Sequence, residues 1–129
     1  MKSLINKFKT IEQTLSRKEG EFNLFALFLR ENSPGKWDLL ISSDWAMGNK
    51  KSALNIIADE IKKMLSTHEL LMLSKVIIFD KDNEELKDFQ RTVDIEHGEV
   101  EFKDENLLGL QIKHAYVITS KLSKNVIDN

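Results

Sequence analysis

The segment from Phe22 to Trp45, FNLFALFLRENSPGKWDLLISSDW, decides the architecture. Between Phe22 and Arg30 both alternating faces are apolar, with Phe22, Leu24, Ala26 and Phe28 on one and Phe25, Leu27 and Leu29 on the other. Successive side chains of a strand point to opposite faces, so a run of this kind belongs to a strand covered on both sides and central in its sheet. Glu31 to Gly35 holds the sequence's one proline followed directly by glycine, which is turn chemistry. Trp37 to Ser43 then returns, with Trp37, Leu39 and Ile41 on one face and Asp38, Leu40 and Ser42 on the other. The stretch predicts a β-hairpin with a core strand on each side of its turn.

Upstream, Leu4, Ile5, Phe8, Ile11 and Leu15 recur at helical spacing. They predict a helix over about residues 3–19, with Ser3 as its N-cap and Gly20 as its stop. Downstream, Ala53, Leu54, Ile57, Ala58, Ile61 and Leu65 give the same period for a helix from Lys50 to Leu65. Ser66-Thr67-His68-Glu69 matches a capping box and opens a short second helix over Glu69 to Leu73. Lys75 to Phe79 (KVIIF) reads as a buried strand, and Asp82 or Asn83 caps a helix running through Arg91. His97-Gly98 separates two alternating runs, Val93–Glu96 and Glu99–Lys103, and predicts a tight hairpin. Leu110 to Thr119 is a last strand, followed by a loose tail over about 123–129.

The element order is therefore α-β-β-α-β-α-β-β-β without regular βα alternation. This is an α+β fold: a mainly antiparallel or mixed sheet of about five to six strands with helices packed on it. A length of 129 residues suits a single domain over 1–129.

Cysteine is absent, which removes disulfides, thiolate nucleophiles and cysteine-ligated zinc. No apolar run approaches the roughly 18 residues of a membrane span, and lysines interrupt any signal core near the N-terminus. A soluble, cytoplasmic protein with no membrane contact is expected. The net charge of −2 conceals an acidic stretch: eleven carboxylates and only four bases lie between Asp80 and Glu105. Direct nucleic-acid binding needs clustered Lys and Arg and is not expected here.

Three acidic sets bear on metal chemistry. The strand Gly35-Lys36-Trp37-Asp38-Leu39-Leu40-Ile41 locally resembles the metal strand of the nucleotidyltransferase superfamily, where carboxylates two residues apart hold the ion. Here Lys36 stands two before Asp38, and one carboxylate cannot clamp a phosphate-bridging metal. Asp80-Lys81-Asp82-Asn83-Glu84-Glu85 follows a strand but lacks the glycine and distal acid of a calcium loop. Asp94 with Glu101-Phe102-Lys103 is similar to the pattern of metal-dependent nucleases, although Glu-x-Lys arises readily in so charged a chain. Asp38, Asp80 and Asp82 are thus the residues to which a metal would go, if any; neither a metal nor another cofactor is expected.

The three histidines, His68, His97 and His114, share no ligand spacing, and His114 alternates with core positions as a hydrogen-bonded sheet residue would. No phosphate-cradling glycine loop or nucleophile elbow is present. Trp45 and Met47 stand just before a helix, where they serve either as a lid on the core edge or as an apolar anchor for a partner. The expected function is that of a small non-catalytic interaction or regulatory domain, self-associating as a homodimer or binding a partner protein. Its candidate residues are Trp45 and Met47 together with the acidic set Asp94, Glu96, Glu99 and Glu101. The alternatives are a metal-dependent phosphodiester or phosphoryl-transfer enzyme, and an acidic decoy of a nucleic-acid-binding protein.

Overall fold

The computed structural model describes residues 1–32 and 35–123. The elements run α1 (Lys2–Lys18), β1 (Leu24–Arg30), β2 (Trp37–Ser42), α2 (Asp44–Gly48), α3 (Lys50–Met64), α4 (Thr67–Leu70), β3 (Leu73–Ile78), α5 (Glu84–Thr92), β4 (Val100–Leu107) and β5 (Leu110–Ser120). The five strands form one mixed sheet in the order β3-β2-β1-β5-β4. β1 is central, with antiparallel neighbours β2 and β5, and its first five residues are buried. An α+β fold with helices on a mixed sheet follows from the sequence pattern, and the structure has it.

Strand alternation divides the interior into two cores. On one face Phe25, Leu27, Leu39, Ile41 and Ile118 meet the apolar stripe of α1 and the inner face of α3. Phe8, Phe22 and Phe25 form the aromatic centre of this core, with Phe22 and Phe25 packed edge to face at 5.0 Å. On the other face Leu24, Ala26, Phe28, Leu40, Ala115 and Val117 meet Leu86 and Phe89 of α5. Helix α5 has nine residues, about 13 Å of length, and a helix is only about 10 Å wide. Five strands spaced about 4.8 Å apart present a wider face than one such helix covers. The sheet beside β4 is consequently left partly open.

Local signals behave as their chemistry requires. Asn49 caps α3 through Ser52 N–H at 3.0 Å, and Asn83 caps α5 through Leu86 N–H at 3.0 Å. The Ser66/Glu69 capping box forms in both directions, although its helix is Thr67–Leu70 rather than Glu69–Leu73. Helix α1 begins one residue earlier than the expected Ser3 cap, with Met1 at its N-cap position. Asp44–Gly48, just before α3, is itself a short helix, capped by the Ser43 hydroxyl.

Two expectations are corrected. β3 is an edge strand, half-exposed rather than buried, and it runs parallel to β2. The His97-Gly98 hairpin does not form. Ile95 exchanges both backbone hydrogen bonds with Ser120 (2.9 and 2.8 Å), and Gly98 N–H donates to Ile118 O at 2.9 Å. Residues 95–107 therefore run in one direction along β5, interrupted by a bend, and two strands rather than three follow α5. The reversal lies at Leu108-Gly109, where φ of +54° and +75° gives the left-handed pair that a two-residue hairpin needs. Gly109 suits its place in the turn, whereas leucine seldom adopts the left-handed conformation that Leu108 takes. Ser123, at the start of the expected loose tail, is buried, and residues 124–129 lie outside the described residues, as does Ser33-Pro34 in the first turn.

Candidate docking groove

The uncovered strip between α5 and β4 is a groove with an apolar floor. Its main hollow, of about 460 Å³, is lined by Phe89, Thr92, Val93, Asp94, Ile95, Val100, Phe102 and Leu107. The rings of Phe89 and Phe102 meet at its base with centroids 6.3 Å apart. A second hollow of about 330 Å³ continues along α5 and shares Phe89, Thr92 and Leu107; Glu85, Asp88, Asn106, Leu108 and Gly109 complete it. Among these lining residues the charged ones are Glu85, Asp88 and Asp94, all carboxylates, with Asp88 paired to Arg91 of the same helix at 2.7 Å. The spacing explains their position: Leu86 and Phe89 face the core, so Glu85 and Asp88, one residue earlier each, stand at the shoulder of the helix.

The acidic candidates separate from one another. Asp94 faces the groove. Glu96 is paired with Lys121, which also holds Glu21 at 3.0 Å, and Glu99 is 3.3 Å from Lys9 of α1. Glu101 points to the opposite face of β4 from Phe102, where His114 Nε2 lies 2.5 Å away. There His114 stacks with Tyr116 and Trp37 at 4.7 and 5.5 Å. Asp94 and the Glu101/Lys103 pair thus sit on opposite sides of the edge strand and share no site.

The other candidate set is also dispersed. Asp38 is 1% exposed at the start of β2, where it accepts a 2.7 Å hydrogen bond from Arg30 Nε. Asp80 and Asp82 lie beyond the far end of the parallel strand β3, with Asp82 N–H donating to the Asp80 carboxylate at 2.9 Å. No cluster of three metal-capable side chains occurs among the described residues. Trp45 is turned inward: its ring packs edge-on to Phe22 at 5.7 Å and lies over Gly20, where an added Cβ would meet its Cδ1 at 3.1 Å. Met47 is half-buried beside it.

A buried polar ring is foreshadowed in the sequence only by Glu12, a carboxylate at a stripe position of α1. Glu12 of α1, fully buried, accepts from the Thr119 hydroxyl at 2.9 Å and contacts His97 Nδ1 at 2.6 Å, while His97 N–H donates to Thr119 Oγ1 at 3.1 Å. This ring ties the bend at 96–98 to α1 and so anchors the segment whose other residues, Val93 to Ile95, line the groove. Glu12 lies on the buried face of α1, four residues after Phe8 and three before Leu15, and its partners lie 85 and 107 residues away.

Several ionisable groups are shifted by their neighbours. The His114 hydrogen bond, aided by Lys103, holds Glu101 below the usual carboxylate range, and the Lys7 hydrogen bond does the same for Glu69. Burial and the adjacent Glu101 raise Tyr116. For Lys121, burial pulls downward, but the Glu96 and Glu21 carboxylates outweigh it and leave the ammonium raised. Lowered carboxylates stabilise the fold above about pH 4.3, the unfolded glutamate value, and that contribution disappears as pH falls through the lowered folded values. Raised Tyr116 and Lys121 contribute fully below about pH 10 and lose their effect as pH rises through the raised folded values. The thermal midpoint is expected to fall on both the acid and the alkaline flank. In a Glu101→Gln variant the acid limb should shrink; an unchanged limb would refute this assignment.

No described helix is long and apolar enough to cross a membrane. Set against protein-family models, curated proteins and solved structures, the chain matches none of them.

Proposed function

We propose that this protein is a non-catalytic interaction domain that receives a basic, amphipathic segment of a partner protein in the groove between α5 and β4. The observation that carries the reading is the pairing of an apolar floor (Phe89, Val93, Ile95, Phe102, Leu107) with a rim whose charged residues are Glu85, Asp88 and Asp94. Apolar contact supplies affinity in such a groove, and the carboxylate rim selects a cationic partner and speeds encounter. The volume lies within the range in which pockets bury a compact ligand or a few side chains. Trp45 supports the domain from within, packed against the α1/α3 core.

The test compares two synthetic amphipathic helices with the same apolar face, one carrying lysines on its polar face and the other glutamates. The lysine peptide should bind, shift the amide signals of Phe89, Ile95 and Phe102, and weaken as salt is raised. Glu85→Lys combined with Asp94→Lys should lower its affinity roughly tenfold, mainly through slower association. Equal binding of both peptides, or shifts confined to another surface, would reject the proposal.

A further inference from the structure

The two edges of the sheet are built differently. β4 carries Glu101, Lys103, Asp104 and Glu105 along its length, and Asp104 adopts a left-handed backbone conformation (φ +52°) that breaks the flat strand. Charges and irregular backbone are the usual protection of an edge against pairing with another chain. β3 has no such protection beyond Lys75: its second half reads Val76-Ile77-Ile78, followed by Phe79. Phe79 N–H donates to Ile41 O of β2 at 2.8 Å. Backbone groups alternate in direction along a strand, so the N–H and C=O of Val76 and Ile78 point away from the sheet.

We infer that β3 is a self-association edge, on which a second copy of this chain adds its own β3 antiparallel across a two-fold axis. The segment is compatible with itself. Centred on Ile77, the pairing places Val76 opposite Ile78 of the second copy and the reverse, so the outward N–H and C=O groups of each satisfy those of the other. Ile77 meets its own equivalent on the α5 side of the sheet. Lys75 comes opposite Phe79, and the two Lys75 side chains start four strand positions apart, on the order of 13 Å. No like charges face each other across the pairing. A two-fold axis normal to the sheet keeps the α1/α3 faces on one side and yields a continuous ten-stranded sheet from two five-stranded ones. Beside this edge a mainly apolar hollow of about 250 Å³ between α3 and β3, its lining including Ala58, Ile61, Leu73 and Val76 with Lys62 and Lys75, enlarges the contact beyond the strands. This edge lies across the sheet from the groove, so the inference stands independently of the proposed partner.

Light scattering after size exclusion should give twice the chain mass of 14.9 kDa. Val76→Pro removes an N–H that points outward, a position where an edge strand tolerates proline. This variant should retain the near-ultraviolet spectrum of Trp37 and Trp45 but elute as a monomer. In the unsubstituted protein, amide exchange at Val76 and Ile78 should slow as protein concentration rises. A wild-type monomer at every concentration, a folded Val76→Pro dimer, or exchange at these amides independent of concentration would each overturn the inference.

Discussion

Replacing Arg30 with alanine is expected to lower the unfolding free energy by roughly 3–5 kcal/mol, because it strands a buried carboxylate without its counter-charge. Asp38 is 1% exposed on the α5 side of the sheet, and Arg30 Nε is its one hydrogen-bond partner among the described residues; Oδ1 has none. The converse substitution, Asp38→Leu, should be nearly neutral, within about 1 kcal/mol, since an apolar side chain suits the neighbourhood of Phe28 and Leu40. Arg30 is 23% exposed at its side chain and can turn to water once Asp38 is gone. The double variant Arg30→Ala/Asp38→Leu should recover most of the loss. Urea denaturation of the three variants gives the cycle. Equal losses from the two single substitutions would show that mutual attraction, rather than the isolated buried charge, sets the effect.

His97→Ala should be the second most damaging change, with a loss of about 1–3 kcal/mol from removing one hydrogen-bond partner of a buried carboxylate. Glu12 then retains only the Thr119 hydroxyl. The bend at 96–98 also loses its tie to α1, so amide exchange should quicken from Val93 to Gly98 before it does elsewhere. Because Val93, Asp94 and Ile95 line the groove, the same variant should bind the lysine-faced helix more weakly even where it is fully folded. Glu12→Gln, which keeps a hydrogen-bonding side chain and discards the charge, should restore part of the stability lost in His97→Ala. If His97→Ala leaves both the exchange pattern and the denaturation midpoint unaltered, the ring is not what holds this segment.

Both residues show where the sequence was readable and where it was not. The apolar stripe of α1, the two-sided burial of β1 and the caps at Asn49, Ser66 and Asn83 depend on neighbours within a few positions, and all are present. Glycine between alternating runs suggests a hairpin at His97-Gly98, yet hydrogen bonding to β5 keeps the chain running in one direction past a bend. The reversal instead falls at Leu108-Gly109, where the glycine is a turn residue but the leucine is not. The acids between Asp80 and Glu105 form one block in the sequence. Strand alternation and a bend send Asp94 into the groove, Glu101 to the far face and Glu96 to Lys121.

The sequence by itself determined the α+β class, the central hairpin, nearly every helix and the lack of cysteine chemistry, because these rest on periodicity, local capping and composition. Only the tertiary structure decided which strand lies at each edge, that one short helix leaves an acidic-rimmed groove open, and that Glu12, His97 and Thr119 meet. Such features depend on which distant segments pack together, and no local pattern of residues encodes that choice.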